Sequence, residues 1–290
     1  YAASGDLHLG NLDRGPVIAV PSGTTAVNTI SVSYTRIEGI GSTRGFELDL
    51  DSASNIKIEK CWATSQDGTC FKAKSVGSAT SSSGNVIQNC VALGTNTQDI
   101  GFDLGGQDMI MGKPQIDCFH NTCVGHKNTG IRVFNTKTMG FYGGANVSVK
   151  NCISVDSFGS DFSFVPGGNG SITTSNNISS DTSSLGISNQ NSSNIFKNSD
   201  KALFWYAPSS GVVKVVASGD FRLHKSSVAR NRAEVIPSVS DDFRGIKRAF
   251  PNTPDVGAYE FGFFNKKFAL YVQGPVPVSS GVDLHMHAEK

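Results

Sequence analysis

Charge is what this chain has least of. Asp, Glu, Lys and Arg supply only 17% of its 290 residues, and they balance to a formal net charge of +1. Without a basic cluster, a nucleic-acid phosphate backbone is not an expected partner. Long apolar runs are also missing: no stretch of about eighteen apolar residues occurs, so no membrane-spanning helix is expected. Tyr1 opens neither a basic segment nor an apolar one, which points to a chain already processed or shortened. Six cysteines are too sparse for a disulfide-dense scaffold. Strong helix formers are scarce, and no window keeps a 3.6-residue amphipathic spacing.

Gly, Ser, Asn and Thr fill the space that charge leaves, beside a 38% hydrophobic fraction. Such residues make tight turns between many short strands. The length allows one elongated domain or two ordinary ones.

Two blocks recur. The first is an alternating strand ending in Cys or Asn, as in Ile56-Lys57-Ile58-Glu59-Lys60-Cys61 and Val147-Ser148-Val149-Lys150-Asn151-Cys152. Related copies end at Cys90, Cys123 and Asn177, giving separations of 29, 33, 29 and 25 residues. The second block is a triplet with large apolar outer residues and a mostly polar middle one: Phe46-Glu47-Leu48, Phe71-Lys72-Ala73, Phe102-Asp103-Leu104, Ile131-Arg132-Val133 and Phe162-Ser163-Phe164. That is a period-two strand with one face buried.

Fixed blocks at variable spacing predict an all-β, right-handed single-stranded parallel β-helix, in which strands keep register while turns absorb insertions. A β-sandwich or propeller is the weaker reading, since neither expects one block per 25 to 33 residues. Stacking places equivalent residues about 4.8 Å apart. Cys61, Cys90, Cys123 and Cys152 are then expected to form one inward ladder of packing thiols, at a separation that also permits a disulfide. Cys70 and Cys118 fall off this ladder. The β-helix is expected over 1–261, with first coils in 1–50 and a terminal cap at about 220–261; 262–290 reads as a C-terminal strand and tail. A cap is needed because an exposed last coil is an unpaired strand edge.

The units Asn89-Cys90-Val91-Ala92 with Gly101-Phe102-Asp103-Leu104-Gly105-Gly106, and Asn151-Cys152-Ile153-Ser154 with Asp161-Phe162-Ser163-Phe164, resemble the coils of pectate lyases of polysaccharide lyase family 9. The closing segments Gly219-Asp220-Phe221-Arg222-Leu223 and Pro254-Asp255-Val256-Gly257-Ala258-Tyr259-Glu260 resemble the ends of other secreted bacterial β-helix proteins. The resemblance implies a pectin-lyase-like solenoid, secreted or on the cell surface, that cleaves an acidic uronate polysaccharide by calcium-assisted β-elimination. In that family aspartates near an Asp-Asp-Gly-Phe-Asp pattern hold calcium and a lysine in a Gly-Phe-Lys-Leu-Gly-Gly context is the base. Here Lys72 stands where the last aspartate belongs and Asp103 where the lysine belongs, so amine and carboxylate have exchanged places.

Read from the residues alone, the triplet centres form an outward column of Glu47, Lys72, Asp103, Arg132 and Ser163. Uronate elimination needs a cation on the substrate carboxylate and a base for the adjacent proton. Asp67, Asp99, Asp103 and Glu47 are the candidate calcium ligands, Lys72 the candidate base and Arg132 the carboxylate clamp. His126, Lys127 and Trp62 are candidate substrate contacts, Trp62 as a stacking platform. An ordinary ion ladder on a solvated face explains the same column. The second functional reading is a non-catalytic β-helix for carbohydrate binding, adhesion or matrix assembly, with end-to-end self-association through its strand edges. Its partners would be an acidic polysaccharide or a cell-surface glycan.

Overall fold

The computed structural model describes residues 2–10, 17–19, 27–40, 44–49, 53–65, 68–76, 83–94, 99–107, 113–135, 137–138, 141–142, 144–198, 203–207, 212–216, 220–248, 253–262, 268–269 and 287–288. Side chains are described for Phe46 and within 55–64, 68–73, 83–94, 99–106, 113–135, 144–197, 220–248 and 253–262. Among the described residues the one helical element is a single 3-10 turn, Ser192–Asn194. The rest of the regular structure is strand, and among the described residues no helix is long and apolar enough to cross a membrane.

The strands repeat in threes. Repeat three runs Ala53–Glu59, Trp62–Ser65 and Thr69–Val76; repeat four runs Asn85–Gln88, Val91–Gly94 and Ile100–Gln107. Repeat five is Gln115–Phe119, Thr122–Val124 and Thr129–Phe134, and repeat six is Asn146–Lys150, Ile153–Val155 and Ser160–Val165. Ahead of them, repeat two is Val27–Ile40 with Arg44–Asp49, and repeat one is Ala2–Gly10 with Val17–Ala19; Ile172–Ser175 and Ile178–Ser179 begin repeat seven. First and second strands join in one sheet and third strands in another, each strand pairing with its counterparts before and after. All these pairings are parallel. The architecture is therefore all-β with stacked parallel strands, consistent with a parallel β-helix.

From repeat three onward two residues separate the first strand from the second. In repeat two Val27–Ile40 is continuous, its front half pairing with Ala53–Glu59 and its back half with Trp62–Ser65. From repeat three onward Lys60, Asn89, His120, Asn151 and Asn176 take φ between 50° and 56°. This left-handed region costs an ordinary side chain roughly 1–2 kcal/mol and Asn less. The residue after each bend points inward, and at Asn121 and Asn177 an amide ties repeats together. Asn121 Oδ1 accepts from Cys90 N at 2.8 Å while its Nδ2 donates to Ile87 O at 2.8 Å. Asn177 makes the same two bonds to Cys152 N and Val149 O, each at 2.9 Å.

This bend corrects the expected cysteine ladder. Trp62, Val91, Thr122, Ile153 and Ile178 are in register, so the residues before them, Cys61, Cys90, Asn121, Cys152 and Asn177, form the column. Cys123 lies two residues further on, in register with Ala92 and Ser154. Aligning by cysteine missed that His120-Asn121 is the counterpart of Lys60-Cys61. Room for Cys123 comes from opposite: a Cβ on Gly101 would stand 2.0 Å from Cys123 Sγ, and one on Gly130 would stand 1.8 Å from Ser154 Oγ. All six cysteines are buried, and none forms a disulfide.

The inward triplet residues build the core. Phe46, Phe71 and Phe102 stack at 5.0 and 4.7 Å between ring centroids with interplanar angles of 2° and 7°, and Ile131 and Phe162 continue the column. Each fully buried ring contributes about 1.5–3 kcal/mol by area removed from water. The outer face of the second strands is apolar, and the described residues of 220–248 and 253–261, with Phe196, cover it. Val91, Leu93, Val124, Ile153, Val155 and Ile178 pack there against Phe196, Phe221, Leu223, Val256, Ala258 and Tyr259.

The segment expected to close the end of the stack thus lies, over its described residues, along the flank of repeats three to six, and it is bolted to the bends. Lys60 Nζ meets Asp241 at 2.9 Å. Asn151 exchanges two bonds with the Glu234 backbone, each 2.9 Å. Buried Arg248 donates to Glu260 at 2.5 Å and to Asn89 Oδ1 at 2.6 Å. Gly257, at φ 91°, passes so close that a Cβ would stand 2.5 Å from Ile153.

Two measurements test this account. Asn121→Leu should lower stability in urea by about 1–3 kcal/mol, since it leaves the buried Cys90 N–H without the acceptor that Asn121 supplies; an unchanged midpoint would show the amide rung to be dispensable. Burial outweighs the pull of Arg248 and holds the Glu260 carboxyl up to about 7. Its native proton affinity exceeds that of the unfolded chain, so its contribution is present at low pH and is lost as pH rises through about 7. The stability of the natural protein relative to Glu260→Gln should therefore fall between pH 5 and pH 8, and a constant difference would refute the assignment.

Candidate functional site

The outward column on the third strands is in register. Glu47 pairs with Lys72, Lys72 with Asp103, Asp103 with Arg132 and Arg132 with Ser163. Alternation explains it: the flanking residues of each triplet turn into the core, so the centre faces out. Asp103 and Arg132 close on each other as a two-pronged pair, Nε to Oδ1 and Nη2 to Oδ2, both at 2.9 Å. The Arg132 side chain stays 32% exposed while that of Asp103 is 5% exposed. The hydrogen bonds that Arg132 donates to Asp103 raise its pKa above the ordinary value, and its guanidinium lies 5.6 Å from the centre of the Phe134 ring.

Other candidates lie elsewhere. Asp99 and His126 are wholly buried at the turn before the third strands, with His126 Nδ1 3.3 Å from Asp99 Oδ2. Asp99 Oδ1 also accepts from Lys127 N at 2.6 Å, so this carboxylate staples the turn of one repeat to that of the next. Asp161 does the same two repeats later, accepting from Ser157 N and Ser180 N. Lys127 itself is exposed on that turn. Trp62 is half-buried on the second-strand flank, its ring 5.9 Å from Phe221 and 6.4 Å from Phe243, and so serves the covering segment. Asp67 lies outside the described residues, as does the side chain of Glu47.

Calcium takes six to eight oxygens. Both oxygens of Asp103 are engaged by Arg132, and Asp99 faces the interior. Among the described residues no group of three or more His, Cys, Asp or Glu side chains comes together in a way that could hold a metal. The described members of the expected calcium set therefore do not make a shell.

The sequence reading passed over a second surface. The outward residues of the first strands in repeats five to seven border a cleft of about 470 Å³ that includes Gln115, Asp117, Asn146 and Ser148. The signal was available in the first block, where Asp117, Ser148 and Thr173 stand in register with the Lys57 of repeat three. It is a weak signal, because polar residues at outward positions are the rule.

The ion pair in the column is open to a direct test. Asp103→Asn and Arg132→Gln should each cost about 1–2 kcal/mol, below the full value of a charged hydrogen bond because Arg132 is partly solvated. The double variant should recover part of the loss as a coupling energy in a mutant cycle; strict additivity would dissolve the pair. No protein-family model matches the chain, and no curated protein matches it either, so the site is read from its own geometry.

Proposed function

We propose that this chain closes into a right-handed single-stranded parallel β-helix of the pectin-lyase-like kind. On this reading it works outside the cell or on its surface, as a non-catalytic binder of acidic polysaccharide. The contact is the outward face of the third strands, where Lys72 and Arg132 are aligned and Lys127 is exposed on the adjoining turn.

The carrying observation is the locked guanidinium. Two bonds to Asp103 fix the plane of Arg132 while leaving part of it in solvent, and a fixed plane loses little rotamer freedom when a sugar carboxylate arrives. Stacked repeats present such groups at the strand spacing of about 4.8 Å, a geometry suited to a polymer. Calcium-assisted β-elimination is the second reading, favoured by the placement of Lys72 beside Asp103. Binding ranks above it because the described carboxylates are engaged by protein donors.

One experiment separates the two. Oligomers of galacturonate, alginate and a glycosaminoglycan are titrated into the protein with and without calcium, while ultraviolet absorbance of an unsaturated product is followed. The expected result is binding to at least one oligomer, weakened about tenfold, or about 1.4 kcal/mol, by Arg132→Ala, with flat absorbance. Rising absorbance in calcium would install the lyase reading, and no binding to any oligomer would end both.

A further inference from the structure

The cleft on the first-strand face differs from the third-strand face in its chemistry. Its floor is a grid. Gln115 and Asn146 are in register, and Ser171 continues their line through Oγ to Asn146 Oδ1 at 2.9 Å. Beside it Asp117, Ser148 and Thr173 form a second line. Phe119, nearly buried, adds an apolar patch at one end. Six adjacent side chains thus offer amide, carboxylate and hydroxyl groups across three neighbouring strands. Although they point outward, Asp117, Asn146 and Ser148 are only partly exposed, which is the mark of a recess.

Its charges are answered within the protein. Lys150 at the rim meets Glu234 at 2.7 Å, and Ser175 Oγ donates to the other Glu234 oxygen at 2.8 Å. Burial pulls the Glu234 carboxyl up, but these two bonds and the Lys150 charge win and hold it below its usual value. Burial raises the Asp117 carboxyl, against the opposing pulls of Gln115 and Lys150. Gln115 Nε2 stands 3.3 Å from both Asp117 oxygens. The lining itself holds one carboxylate, Asp117, and one cation, Lys150, which Glu234 already answers from outside it, so the recess has no free positive charge to draw an anionic polymer and suits an uncharged ligand.

We propose that this cleft binds a neutral oligosaccharide, laid across the first strands of repeats five, six and seven. Sugar hydroxyls donate and accept at once, and amides, hydroxyls and a carboxylate offer both roles in return. A pyranose ring with its linking oxygen is close to one strand spacing in length, about 4.8 Å, so each unit meets the next row of the grid. Phe119 supplies the apolar surface against which the C–H face of a ring rests. This site is separate from the third-strand face, and neither reading depends on the other.

The test titrates cellohexaose, chitohexaose, maltohexaose and a galacturonate hexamer into the natural protein and into Ser148→Trp, Thr173→Trp and Arg132→Ala, by calorimetry. The two tryptophans fill the recess from a half-buried and an exposed position, so one remains informative should the other misfold. Binding of at least one neutral hexamer, weakened about tenfold or more by either tryptophan and unchanged by Arg132→Ala, is the expected result. The proposal is overturned if no neutral hexamer binds, if both tryptophans leave binding intact, or if the galacturonate hexamer is the one they displace. Galacturonate binding lost only in Arg132→Ala, with no neutral binding, would remove this cleft and leave the third-strand reading standing.

Discussion

Parallel pairing between like strands is the interaction on which everything else in this protein depends. Each strand meets its own counterpart in the repeats before and after, so every position becomes part of a column about 4.8 Å in step. Register is set at the bends. A single left-handed residue turns the first strand into the second, and the residue after it, amide or thiol, reaches inward. Where it is Asn121 or Asn177, it bonds backbone in the preceding repeat. A slip of one residue would turn the phenylalanine spine out to water and bring Lys72, Asp103 and Arg132 into the core, an arrangement that apolar burial and the cost of buried charge both forbid.

The same bends decide which faces stay open. Lys60, Asn89 and Asn151 hold the covering segment by ion pair and hydrogen bond, and that segment packs on the outer side of the second strands at Val91, Leu93, Val124, Ile153, Val155 and Ile178. Among the described residues those positions are buried. What remains is the outward side of the third strands and that of the first, and these carry different chemistry: ionic in one, mostly uncharged and hydrogen-bonding in the other. A scaffold of identical strands has thus been divided into three flanks by which outward residues it presents.

The stacked parallel strands were legible because they depend on period-two alternation, which Phe71-Lys72-Ala73 and its copies display without help from distant residues. The column from Glu47 to Ser163 was legible for the same reason, and its register is as read. The cysteine ladder was misread at Cys123, since thiol and amide serve alike at the bend and the eye follows the rarer residue. Asp99 was drawn into a calcium site by its charge, whereas its partner Lys127 N belongs to the next repeat, a contact that no local pattern encodes. Arg248 and Glu260 read as members of a cap; their attachment to Asn89, 159 residues away for Arg248, is a tertiary fact.

The order of amine and carboxylate along the third-strand column decides which of its charges a ligand can reach. In a stack, each charge is judged by the residues directly before and after it. The row reads Glu47, Lys72, Asp103, Arg132, Ser163, so Lys72 has a carboxylate position on each side and Asp103 a cation position on each side. Such interior members are answered by the chain itself, and an added ion or substrate must compete with a neighbour already at strand distance. Arg132 is where the alternation stops, with Asp103 on one side and the neutral hydroxyl of Ser163 on the other. On the proposed binding reading, a sugar carboxylate therefore meets Arg132 more readily from the Ser163 side than it meets Lys72, which has a carboxylate position on each side.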